Sequence, residues 1–174
     1  MLTFESPRFE DRQWVQPLLA AEGSLGCEYN FTNIYLWSRV YPQRIARLGD
    51  RLLVEIRGRL GLCCLYPAGS GPLAPAVDAL AGHIGRSNAS LTLVCVTQEQ
   101  RTALEEACPG RFVFEEDRDG FDYLYDIHRL ADLPGKKLHA KRNHIHRFNE
   151  QFPDWLSYYP DILLTKYTAR EVTP

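Results

Sequence analysis

From Arg44 to Tyr66 the chain passes through three strand-like stretches, Arg44 to Leu48, Arg51 to Ile56 and Leu60 to Tyr66. Gly49-Asp50 and Gly58-Arg59 separate them. Glycine accepts the positive φ that a tight turn demands, so this spacing predicts an antiparallel meander. Cys63 and Cys64 are neighbours within the third stretch and should point to opposite faces of the sheet. The period then changes. Pro67 to Pro72 is a loop rich in proline and glycine. Leu73 to Ile84 places Val77, Leu80 and Ile84 on one helical face, with Pro75 in the first turn. Leu91 to Val96 has the apolar run of a buried strand. Thr97 opens a helix with Gln100 as its capping-box partner, and Cys108-Pro109-Gly110 closes it. Arg111 to Glu115 and Asp122 to Ile127 read as two further strands. A meander followed by alternating helices and strands implies an α/β fold, a mixed β-sheet flanked by helices.

Two helices are expected before the meander. Phe9 to Glu22 carries Trp14, Leu18 and Ala21 on one side, Pro17 as an internal irregularity and Gly23 as a stop. Phe31 to Tyr41 is aromatic-rich and ends at Pro42. The three tryptophans, Trp14, Trp37 and Trp155, are expected in the core. With 174 residues, 45% hydrophobic and 24% charged, the chain suits one globular domain with the start of a second, not a disordered segment. No apolar run approaches the roughly 20 residues a membrane span needs. Met1 to Glu5 lacks the basic start of a signal peptide. Five cysteines form no Cys-x-x-Cys pair, which fits reduced thiols and a cytoplasmic location.

Against a net charge of −2, the segment from Gly135 to Phe148 gathers Lys136, Lys137, Lys141, Arg142 and Arg147 with His139, His144 and His146. A local excess of cations on a balanced chain points to a specific anionic partner. Leu133-Pro134-Gly135 breaks the chain, and Lys137 to Gln151 then follows helical periodicity. Leu138, Ile145, Phe148 and Phe152 share a face expected to be buried. His139, Asn143, His146 and Glu150 share a polar stripe beside it. Lys141 projects near the apolar face, where it must snorkel, pair with a carboxylate or hold an anion. Lys136 and Lys137 lie at the helix start, where the dipole already favours phosphate. The competing reading is a helix that is merely solvated on its cationic side. The histidine spacing does not match the two-histidine zinc helix, and no metal site is expected there.

Other groupings carry less. Cys27-Glu28-Tyr29 sets a thiol, a carboxylate and a phenol just before the aromatic helix, which could serve a nucleophile or a proton transfer. A helix-start loop with an Asn or Thr cap accounts for the same residues. His83 and His128 read as ordinary surface or core histidines. Tyr123 and Tyr125 would share one strand face, packed in the core or lining a substrate pocket. Arg57 to Leu62 is the nearest approach to the pyrophosphate loop of acetyl-CoA enzymes, and its spacing is wrong. No cofactor is expected.

Asp122-Tyr123-Leu124-Tyr125 and Leu133-Pro134-Gly135-Lys136-Lys137-Leu138-His139-Ala140-Lys141-Arg142-Asn143-His144-Ile145 resemble a bacterial family of unknown function. That family is grouped with the C-terminal catalytic domain of phosphatidylglycerol lysyltransferase. Tyr29-Asn30-Phe31-Thr32-Asn33-Ile34-Tyr35-Leu36-Trp37 is similar to the family's opening helix, and the likeness runs from about Glu5 to Trp155. It implies a GNAT-type acyltransferase fold repeated in tandem and, in the related lysyltransferases, transfer of an aminoacyl group from charged tRNA to a lipid.

The organisation expected from this likeness is an acyltransferase-like half over 1–133, a basic linking helix opening a second half over 134–155, and a divergent tail over 156–174. Relatives continue where this sequence departs, so a truncated form, inactive or incomplete, is expected. Its surface, bared by the missing half, would be prone to self-association. Two functions follow. One is an acyl- or aminoacyl-transferase whose donor phosphates meet Lys136, Lys137, His139, Lys141, Arg142, Asn143, His146 and Arg147, the partner being aminoacyl-tRNA or another phosphorylated ligand. The other is a non-catalytic module gripping RNA or an anionic lipid surface. DNA is not an expected partner. Glu28 and His139 are the candidate general bases.

Overall fold

The computed structural model describes residues 2–58, 61–87, 90–122 and 126–154, apart from the side chains of Asp119 and Ile127. The chain divides into two compact units, Met1–Asp122 and Tyr123–Pro174.

The first unit is built on the predicted meander. Strands β1 (Gln43–Leu48), β2 (Arg51–Gly58) and β3 (Gly61–Leu65) pair antiparallel in sequence order. The two-residue strand β4 (Ala68–Gly69) returns to pair antiparallel with the start of β2. β5 (Leu93–Val94) joins the other edge, parallel to β3, and makes the sheet mixed. Arg51 to Glu55 are all buried, so β2 is the spine of the sheet. Gly69 is obligatory at its return: its φ is +129°, and an added Cβ would lie 2.1 Å from the Asp50 carbonyl oxygen.

Both sheet faces are covered. On one face α1 (Arg12–Glu22), α2 (Phe31–Trp37) and α4 (Gln98–Ala107) contribute Val15, Leu18, Leu19, Phe31, Ile34 and Leu104, packed with Leu52, Val54 and Leu65. On the other, Ala76, Leu80 and Ile84 of α3 (Leu73–Gly85) meet Phe4, Ala46, Leu53 and Cys64. Period-two alternation sends Leu52, Val54 and Leu65 to one cluster and Leu53 and Cys64 to the other. The Thr97 cap forms as predicted: the Gln100 N–H donates to Oγ1 at 3.3 Å, and the Thr97 N–H donates to Gln100 Oε1 at 3.0 Å.

Several expectations need correction. α1 runs on through Pro17, which is exposed, so the helix is not split there; its buried stripe is Val15, Leu18 and Leu19, and Ala21 lies outside it. A 3-10 turn (Phe9–Asp11) precedes this helix. α2 stops at Trp37, well before Pro42, and leaves Trp37 48% exposed instead of in the core. Trp14 is partly buried against the core, and Trp155 lies outside the described residues. The apolar run from Leu91 yields only the two residues of β5, since Cys95 turns left-handed (φ 55°) and leads the chain into α4. Arg111 to Glu115 forms no strand. Phe112 and Phe114 pack on the core while Val113 is 93% exposed, an alternation without a neighbouring backbone to pair with. Asp126 accepts the Arg129 N–H and caps a helix, so Asp126 and Ile127 are not strand residues; Tyr123 to Tyr125 lie outside the described residues.

The described part of the second unit comprises α5 (Ile127–Asp132), a 3-10 turn (Lys136–Leu138) and α6 (His139–Gln151). Leu133 (φ 45°) and Gly135 (φ 84°) make the expected break. Ile145, Phe148 and Phe152, predicted to be buried, are 50%, 45% and 47% exposed. Phe148 and Phe152 pack against each other, with ring centroids 5.0 Å apart.

Candidate functional site

A 3-10 turn (Cys27–Tyr29) lies between α1 and α2, and two side chains, Asn33 and Asp122, hold its backbone. Asn30 caps α2 by accepting the Thr32 N–H at 2.8 Å. Asn33 Nδ2 donates to the Cys27 carbonyl at 2.7 Å, and the Cys27 N–H donates to Asp122 Oδ2 at 3.0 Å. The cap reading of this segment is therefore correct, yet the same turn gathers reactive groups. One ligand atom each from Cys27, Glu28 and Asp122 lies within 4.8 Å of the others, the one such group of potential metal donors among the described residues. Glu28 is also within hydrogen-bonding reach of the Cys95 thiol. Sequence reasoning singled out Cys27 and Glu28 but missed Asp122 and Cys95, because no local pattern marks a contact 95 residues away.

The environment keeps both thiols protonated. Partial burial, then the Glu28 and Asp122 carboxylates, push Cys27 up to about 11. Loss of solvent, then Glu28 and the neighbouring Cys27 and Cys63, push Cys95 up to about 12. Neither is a ready nucleophile by itself.

Beneath the turn runs a polar chain inside the first core. The Tyr29 hydroxyl donates to Gln100 Oε1 at 3.2 Å and to the Cys95 carbonyl at 3.4 Å. Gln100 Nε2 donates to Glu22 at 3.1 Å, and Glu22 pairs with Arg51 at 3.5 Å. Arg51 donates further to the carbonyls of Gly71 (2.8 Å) and Pro67 (2.7 Å). On the opposite face His83 Nε2 lies 2.6 Å from Glu55, and Glu55 meets Arg44 at 3.0 Å, so His83 is a half-buried histidine tied to the sheet. These ties connect helix, loop and strand and leave few polar groups over for chemistry.

In the second unit the predicted stripe forms two pairs. Asn143 Nδ2 lies 3.3 Å from His139 Nε2, and His146 Nδ1 lies 3.3 Å from Glu150. Arg142 Nη1 donates to the Leu133 carbonyl and, at 3.0 Å, to that of Gly135, clamping the break before α6. Lys136, Lys137, Lys141 and Arg147 are exposed. At about 100° per residue, Lys141, Arg142 and Arg147 project from three different sides of α6. Lys141 emerges within the half-exposed apolar stripe.

Fold and sites define a mixed α/β domain followed by a second unit with a cation-rich helix. The chain belongs to the family described as phosphatidylglycerol lysyltransferase, C-terminal, which matches residues 20–169. A solved structure, that of a conserved protein of unknown function from Bacteroides thetaiotaomicron VPI-5482, is similar at 31% identity and a TM-score of 0.77. The likeness covers 88% of this chain and 52% of that one, so this chain spans about half the length of that protein. No curated protein matches it. Among the described residues no helix is long and apolar enough to cross a membrane.

Proposed function

We propose that the chain is an acyltransferase-like domain that takes an aminoacyl-tRNA as its donor, with α6 and the turn before it holding the donor's phosphates. The observation that carries this is the placement of Lys136, Lys137, Lys141 and Arg147, all exposed, within the matched family region. Because the helical cations do not share one face, they suit an extended polyphosphate better than a single compact phosphate group. Arg142 acts as a positioning residue here, since its guanidinium holds the turn that presents Lys136 and Lys137. The reaction would be attack of an amine or hydroxyl on the aminoacyl ester, favoured by orientation and by donors to the developing oxyanion.

The test is binding of charged tRNA to the purified chain across a salt series, comparing wild type with a K136E/K137E/K141E variant. Four phosphate contacts predict a log–log salt slope of about −3 to −4, and reversing three of them should weaken binding by at least about tenfold at low salt. Equal affinity in the variant overturns the reading. Consumption of the ester in the presence of an amine- or hydroxyl-bearing acceptor separates a transferase from a module that only binds.

A further inference from the structure

We propose that Cys27, Glu28 and Asp122 form a binding site for a divalent cation of the zinc class. Three donors arrive from two places: a thiol and a carboxylate from the turn between α1 and α2, and an exposed carboxylate from the far end of the first unit. Their ligand atoms lie within 4.8 Å of one another. Ligands of a tetrahedral zinc ion stand about 3.3–3.8 Å apart, so closure needs a contraction of about 1 Å. Glu28 can supply it through its flexible side chain.

The backbone around these donors is already set. The Cys27 N–H holds one Asp122 oxygen, leaving the other oxygen free to ligate, and Asn33 holds the Cys27 carbonyl. Such supporting bonds are what orient metal ligands. Among the described residues neither Glu28 nor Asp122 has an ion-pair partner; both carboxylates adjoin the Cys27 thiol. A sulfur with two carboxylate oxygens favours a borderline ion over magnesium or calcium, which take oxygen alone. Three protein donors leave a fourth position for water or a substrate atom. On binding, the Cys27 Sγ–H bond breaks, sulfur keeps the electron pair and donates it to the metal, and the proton passes to solvent.

Cobalt(II) is the probe, because a thiolate ligand gives it a charge-transfer band that carboxylates and imidazoles do not. Titration of the intact chain should produce that band with release of one proton per site. The Cys27→Ser variant should lose it, and Glu28→Gln should bind at least about tenfold more weakly. His139→Ala/His146→Ala should leave it unchanged. If the Cys27 variant unfolds, as judged by circular dichroism, Glu28→Gln alone decides. Absence of the band in the wild type, its survival in a folded Cys27→Ser, or full affinity in Glu28→Gln overturns the proposal.

Discussion

At the residue scale, the thiol of Cys27 shows how strongly neighbours set reactivity. Held at about 11, it has a thiolate fraction near pH 8 of about a thousandth, against about a tenth for an ordinary thiol at 9. Alkylation by iodoacetamide should therefore be slow at neutral pH and keep climbing well beyond pH 9. Glu28→Gln should accelerate it, although not to the rate of a free thiol, because burial is the larger cause. The sign for stability follows. Below pH 9 the thiol is protonated in both folded and unfolded chains and contributes nothing. Between about 9 and 11 the unfolded chain loses its proton first, so alkali should favour unfolding. An alkylation profile that levels off at ordinary thiol pH would contradict this account.

At the scale of elements, the meander, α3 and the Thr97 cap were legible because their signals are local: turn glycines, a helical stripe, a capping pair. The failures share one cause as well. β5 and the stretch from Arg111 to Glu115 have strand-like composition, but a strand exists only where a partner backbone is available, and that is settled by residues far away in sequence. The apolar stripe of α6 was read correctly as a stripe, but Ile145, Phe148 and Phe152 are about half exposed where burial was expected. Of the two candidate sites, the cationic segment was visible as composition, whereas the Asp122 contact was not visible at all. The tie between α1 and β2 belongs to this scale too. Glu22 and Arg51 are nearly buried and share a network with Gln100 and Tyr29. Glu22→Ala strands the guanidinium among carbonyls and should cost about 3–5 kcal/mol in denaturant titration. Truncation of exposed Glu105, which pairs with Arg101 at the surface, should cost under about 1 kcal/mol. Similar losses for both would refute the network's role.

For the molecule as a whole, β2 has a consequence of its own. It is hydrogen-bonded to β1, β3 and β4, and its first five residues are sealed on both faces. Amides can swap protons with solvent only when their bonds open, and openings start where packing is thin. In deuterated buffer, the ribbon from Leu52 to Glu55 should stay light longest, giving way only with global unfolding, while α6 labels early. Heating or denaturant read through that one ribbon would then report the survival of the entire first unit.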